Sequence, residues 1–219
     1  MSMSIVITTY NRSEVLKKNL DCFKQQTDKD FEVVVAIDGS TDDTKQMLES
    51  YESFFPLRWV DTLETDKYCL AKARNMGIVE TRRPIVAIID DDSFPVPEFV
   101  QAHKSSVKQG VLTGGFRNSH DPNDSLHPKM KNTLMKYGVC KPHKIVERVV
   151  ENNACMFRKD WIGCGMFSER MEGYGGCGQE FIARLAYLGY EYQFNPAAMI
   201  YHHREFEGDN GLTREMKNE

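Results

Sequence analysis

No apolar run in this sequence approaches the ~18–20 residues that a helix needs to cross a bilayer, so no membrane span is expected. Cys-x-x-Cys is absent. The six cysteines, Cys22, Cys69, Cys140, Cys155, Cys164 and Cys177, are scattered without the spacing of a zinc site, and a reduced, cytoplasmic setting is expected. There is no basic run, and the net charge is -4, which argues against a general nucleic-acid binder. Met1-Ser2-Met3-Ser4 leads straight into a β-branched stretch and does not read as a signal peptide. Internal repeats and low-complexity segments are missing too. What remains is ordinary for a soluble globular protein: 219 residues, 41% hydrophobic and 27% charged. That is one domain, or one with a small appendage, and enough chain to bury a core.

The chain centres on Pro84-Ile85-Val86-Ala87-Ile88-Ile89-Asp90-Asp91-Asp92. Five aliphatic residues bounded by a proline predict a short strand buried on both faces, as in the middle of a parallel sheet. Three carboxylates then follow with no spacer. Like charges this close repel unless a cation neutralises them, and hard oxygen ligands favour Mg²⁺ or Mn²⁺. In open α/β sheets ligands bind at the carboxyl ends of strands, where these aspartates fall. The alternative is a solvated acidic turn.

Before that point, strand and helix alternate. Strands are predicted at Met3 to Thr9, Phe31 to Ile37 and Leu57 to Val60. Helices are predicted from Ser13, carrying Leu16, Leu20 and Phe23, then around Met47, Leu48 and Tyr51, then over Leu70 to Val79. Ser13 is read as a helix cap, and Ser40 with Asp43 as a capping box. Ala71, Arg74, Asn75 and Ile78 share one helix face. The alternation predicts a parallel sheet with right-handed crossovers, whose strand ends bring Tyr10, Asp38 and Asp90 to Asp92 into one crevice. Beyond residue 100 the pattern loosens. A helix is expected over Phe99 to Val107 and strands at Val111 to Phe116 and Asn153 to Phe157. A loop follows at His120 to His127, read as either a lid or a plain surface loop. Then come a glycine-rich turn at Gly173 to Gly178, a helix from Gln179 to Leu188, and strands at Tyr190 to Phe194 and Ala197 to Tyr201.

Four motifs carry a resemblance: Ile5-Val6-Ile7-Thr8-Thr9-Tyr10-Asn11-Arg12, Asp38-Gly39-Ser40-Thr41-Asp42-Asp43-Thr44, Ala71-Lys72-Ala73-Arg74-Asn75-Met76-Gly77, and Asp90-Asp91-Asp92. In this order and spacing the chain resembles the family 2 glycosyltransferases of GT-A fold. The resemblance implies an α/β, Rossmann-like single domain with a mostly parallel central sheet flanked by helices. Residues 1–205 would form it, 1–100 as the nucleotide-binding half and 101–205 as the acceptor and catalytic half, with 206–219 a polar tail. It implies inverting transfer of a sugar from a nucleoside diphosphate donor, by default a UDP-sugar such as UDP-glucose, to a glycan or other hydroxyl acceptor. It also implies Mn²⁺ or Mg²⁺. Asp92 is expected to ligate the metal, with Asp90 and Asp91 near the ribose and the metal's water shell. Asp38 would accept the uracil N3–H; its alternative is a turn into the next helix. Tyr10 offers a stacking face, Thr8 backbone and hydroxyl groups, and Arg12 lies in the same motif. Lys72 or Arg74 would face the phosphates, or be solvated helix charges. His202 or His203 would add a ligand; adjacent strand residues point opposite ways, and His202 is favoured.

The sequence departs from the family at the general base. The resemblance places a Gly-Glu-Asp motif six residues before a helix arginine, and aligning on Arg184 puts Cys177 and Gly178 where the acids belong. Glu180 is the acid that remains, with Glu172 in reserve. Glu180 and Arg184 stand at i,i+4 and can also pair on the helix surface. Two other functions compete. A nucleotidyltransferase normally carries a glycine-rich N-terminal loop, which Thr8 to Arg12 is not. A non-catalytic nucleotide-sugar-binding module of a larger multidomain synthase fits the shortness of the chain.

Overall fold

The computed structural model describes residues 1–118, 152–171 and 176–202. Strand β1 (Met3–Thr9) leads to α1 (Ser13–Lys24), β2 (Phe31–Ile37), α2 (Thr44–Glu49), β3 (Leu57–Asp61), α3 (Leu70–Glu80) and β4 (Ile85–Asp90). After the aspartates come β5 (Ser93–Pro95), α4 (Phe99–Ser106), β6 (Val111–Asn118), β7 (Ala154–Phe157), α5 (Arg158–Gly163), α6 (Cys177–Tyr187) and β8 (Glu191–His202). The strands form one sheet in the order β3-β2-β1-β4-β7-β6-β8-β5. The first four are parallel, β7 runs against both β4 and β6, β6 and β8 are parallel, and β5 runs against β8.

The β-branched runs explain the central strands. Successive side chains alternate between faces, and here both faces are covered. Ile5, Ile7, Val33, Val35, Ile85 and Ile89 meet Leu16, Leu20, Phe23 and Phe99 on one side. Val6, Ala36, Val86 and Ile88 meet Ala71, Ile78, Trp161 and Phe181 on the other. Helix α3 lies close to the sheet: a Cβ on Gly77 would stand 2.5 Å from Val6 Cγ1 and 3.1 Å from Ala36 Cβ. Trp161 stacks on Phe181 at 5.0 Å and 9°, and its Nε1–H donates to Val86 O at 3.0 Å. That stack fixes α5 and α6 to the back of β4.

Several local expectations are corrected. Ser13 lies inside α1 and caps nothing; its N–H donates to Asp42 Oδ2 at 3.0 Å. The capping box does not form, because Ser40 Oγ accepts the Asn11 N–H at 2.9 Å. Asp42 holds the start of α2 instead, accepting from Thr44 N and Oγ1. The two predicted final strands are one. Register jumps from Gly115↔Asn195 to Phe116↔Met199, so Pro196, which has no N–H to give a ladder, sits in a bulge. The turn from Gly173 to Gly175, the loop His120 to His127 and the tail 206–219 lie outside the described residues.

Candidate functional site

Register sets the site. Thr8 pairs with Asp90 across β1 and β4, and Thr9 with Ile37 across β1 and β2. The Asp38 N–H donates to Thr9 O at 2.9 Å and the Asp91 N–H to Thr8 O at 3.2 Å. Residues 8 to 12, Asp38 and Asp90 to Asp92 therefore share one sheet edge, as the alternating pattern predicts.

The three aspartates are not equivalent. Asp90 is saturated: Oδ1 accepts from Arg74 Nη2 at 3.0 Å and Thr8 Oγ1 at 3.2 Å, and Oδ2 from Asn152 Nδ2 at 3.0 Å. Burial opposes its charge, but Arg74, Asn152 and the charge of Arg117 outweigh that and hold its carboxyl below the ordinary range. Asp91 is buried and bonded to Thr9 Oγ1 at 2.7 Å and Arg12 Nη1 at 3.1 Å. Burial pushes its pKa up despite Arg12, helped by Asp92 and Asp90. Asp92 is different again. Its Oδ2 lies 3.3 Å from Arg12 Nη1 and 3.4 Å from His202 Nε2, while its Oδ1 is buried with no hydrogen-bond partner among the described residues. Such an orphaned carboxylate oxygen is costly unless something fills it. A hard carboxylate oxygen suits Mn²⁺ or Mg²⁺, and a neighbouring imidazole is tolerated better by Mn²⁺ than by Mg²⁺. Among the described residues no group of three His, Cys, Asp or Glu is placed to hold a metal ion.

Asp38 ends β2 and is only 3% exposed. Its Oδ2 accepts the Cys69 N–H at 2.9 Å and its Oδ1 accepts Thr62 Oγ1 at 3.3 Å. Burial raises its pKa to about 6, with Asp61 adding to the effect. Gly39 follows at φ +72, and a Cβ there would fall 2.0 Å from Glu64 O. The loop after β3 is thus wrapped over the end of β2.

The other predicted residues divide. Tyr10 and Arg12 are partly exposed at the edge. Thr8 spends its hydroxyl on Asp90. Lys72 pairs with Glu64 at 3.0 Å. Arg74 is no solvated helix charge; it is 1% exposed and joins Asp90 to the Cys177 Sγ, 3.7 Å away at the start of α6. His202 is buried beside Asp92. Glu180 is joined to Arg184 at 2.7 and 3.1 Å, with 30% of its side chain exposed. Glu172 and His203 lie outside the described residues. Asn152, Arg117 and Asn19 went unread in the sequence. Asn19 Nδ2 donates to the backbone oxygens of Asp90 at 3.3 Å and Ser93 at 2.5 Å, clamping the acidic turn. A polar residue within the apolar stripe of Leu16, Leu20 and Phe23 was its available signal.

A single, mostly parallel sheet flanked by helices, with carboxylates gathered at the ends of neighbouring strands, is the α/β architecture of the GT-A fold, which solved structures share. Residues 4–163 match Glycosyl transferase family 2, and the chain belongs to that family. It is 34% identical over 153 residues to a validoxylamine A glucosyltransferase of Streptomyces hygroscopicus subsp. jinggangensis (strain 5008), covering 67% of this chain and 35% of the relative. It is 28% identical over 236 residues to the chondroitin synthase of Escherichia coli, covering 91% and 34%. The chain thus spans about a third of these curated relatives. Its fold matches S. aureus TarS 1-349 in complex with UDP-GlcNAc at TM-score 0.74 and 19% identity, over 93% of this chain and 58% of that one. It also matches the mannosyltransferase PcManGT of Pyrobaculum calidifontis in complex with GDP-Man and Mn²⁺ at 0.68 and 21%, over 91% and 56%.

Proposed function

We propose that this chain moves a sugar from a nucleoside diphosphate donor to a hydroxyl of a glycan or glycoconjugate, with inversion and with the help of a divalent cation. The donor is a UDP-sugar, UDP-glucose being the default. The carrying observation is the buried, unfilled Oδ1 of Asp92 beside His202, on the same sheet edge as Asp38. Asp92 and His202 would hold Mn²⁺ or Mg²⁺. When bound, the ion supplies positive charge to the departing diphosphate. Asp38 accepts the uracil N3–H, Tyr10 offers its ring to the base, and Arg12 and Lys72 supply positive charge toward the phosphates. Arg74 acts through Asp90, which it holds as a fixed anion. Asp91 stands behind Asp92 near the ribose and metal waters. Glu180, with Glu172 as its rival, takes the acceptor proton. The sugar nucleotides and Mn²⁺ named for TarS and PcManGT support the donor class and the cation.

The test is to incubate the protein with Mn²⁺, an acceptor glycan panel and a set of sugar nucleotides, and follow UDP release. Turnover that EDTA removes and Asp92→Ala abolishes, with folding intact by circular dichroism, is expected. Near-normal turnover by Asp92→Ala rules the metal assignment out. Pyrophosphate exchange instead of UDP release marks a nucleotidyltransferase, and binding without turnover marks a non-catalytic module.

A further inference from the structure

Asn152 precedes β7 and is 7% exposed. Its Nδ2 donates to Asp90 Oδ2 at 3.0 Å, and its Oδ1 is buried with no partner among the described residues. The orientation of this amide is dictated by its neighbour. Turning it over would press a carbonyl oxygen, at 3.0 Å, against an oxygen of the carboxyl group that pairs with Arg74. Oδ1 must therefore point away from Asp90 and wait for a donor. Its neighbour Asn153 shows that the fold can satisfy an asparagine here: Asn153 Nδ2 donates to Phe116 O and Ala198 O, and its Oδ1 meets His103 Nε2 at 3.0 Å. Of these two neighbours Asn152 alone keeps a vacant acceptor; among the described residues Asn19 Oδ1 is another, but the Asn19 amide is turned toward the backbone of the acidic turn.

Strand order says what it faces. Along the edge run the ends of β2 with Asp38, β1 with Thr8 to Arg12, β4 with the aspartates, and then β7, whose antiparallel course brings its first residues to the same edge. Three strand spacings of about 4.8 Å separate β2 from β7, roughly 14 Å in all. A nucleotide laid from Asp38 across the aspartates carries its sugar to β7. A lone carbonyl oxygen next to an anion repels phosphate and takes an O–H. We infer that Asn152 accepts a hydrogen bond from a hydroxyl of the sugar being transferred and so helps choose that sugar. This rests on the donor class proposed above.

The test is calorimetric binding with Mn²⁺ and no acceptor, using UDP, UDP-glucose and UDP-GlcNAc on wild type and Asn152→Ala. The variant should lose about three- to ten-fold more affinity for the UDP-sugar that wild type prefers than for UDP, the scale of one neutral hydrogen bond, any loss common to both being the cost of leaving Asp90 Oδ2 without its donor. Deoxy analogues of that sugar, measured on wild type, should reproduce the loss for one hydroxyl only, whether or not the variant folds. Equal loss for UDP and UDP-sugar would make Asn152 a support for Asp90 and overturn the inference. So would an unchanged UDP-sugar affinity, or deoxy analogues that all bind like the parent. If wild type binds neither UDP nor either UDP-sugar, the donor class itself fails and this inference falls with it.

Discussion

Asp38 shows most directly how one residue trades stability for function. Its carboxyl titrates near 6 because it is buried, against 3.8 for an ordinary aspartate. The native state then holds this proton more tightly than the unfolded chain does. The contribution to stability is full below pH 3.8 and is lost as pH rises through 6, where the buried charge costs roughly 3 kcal/mol. Asp38→Asn removes that titration. Denaturant melts at pH 4 and pH 8 should show the variant gaining on wild type by up to roughly 3 kcal/mol at the higher pH. A difference that does not change with pH would deny the raised pKa. If Asp38 accepts the uracil N3–H as proposed, UDP affinity should fall more steeply between pH 7 and pH 5 in wild type than in the variant, where the terminal phosphate and Asp91 still titrate. Asp38 was readable in the sequence because it ends an apolar run. That Thr62 and the Cys69 N–H hold it was not, since both come from a loop that only folding brings near.

Among the elements, α6 carries Glu180, the proposed base. Its packing is firm: Phe181 is fully buried between Trp161 and Phe167, with centroids at 5.0 and 4.7 Å. Phe181→Ala should cost about 3–5 kcal/mol in urea unfolding, as other large-to-small core changes do; a cost under 1 kcal/mol would mean α6 is not anchored by this stack. Its first turn is less committed. Arg184 is held by the carbonyls of Cys164 and Met166 as well as by Glu180, so Glu180 can leave without stranding the arginine. A partly exposed i,i+4 pair holds it by only about 0.3–0.5 kcal/mol. Glu180→Gln should therefore cut sugar transfer ~10²-fold or more with donor binding unchanged. If Glu180→Gln works at near wild-type rate and Glu172→Gln does not, the base is Glu172. The strands up to β4 were readable because their β-branched runs are buried on both faces. Strand β5 and helix α5 were not: Ser93–Pro95 and Arg158–Gly163 are too short to show a period, and tertiary pairing decides them. The capping errors share one cause. The Ser13 N–H reaches Asp42 and Ser40 Oγ takes the Asn11 N–H, each about thirty residues away in sequence, so local spacing misplaced their partners.

For the molecule as a whole, the site is a seam between the parallel half and the mixed half of one sheet. Parallel strands bring Asp38, Arg12 and the aspartates to the edge, antiparallel β7 brings Asn152, and β8, parallel to β6 and antiparallel to β5, brings His202 to meet them. No single element holds a ligand alone. If Asp92 and His202 hold the cation as proposed, phosphate oxygens of the donor would complete its shell. Binding of the two should be cooperative. UDP with Mn²⁺, supplied at about 100 times its dissociation constant, stabilises the fold by about 2.7 kcal/mol through mass action. For a chain this long that is a rise in Tm of about 5–10 °C. Mn²⁺ alone should move Tm little, UDP alone somewhat more, and the pair more than the two shifts added together. Asp92→Ala should abolish the excess and leave the UDP-only shift, because Asp38 lies across β1 from the aspartates and Tyr10 at the end of β1 itself. Shifts that simply add in wild type would mean that ion and nucleotide do not share a site, and the seam would then be two sites rather than one.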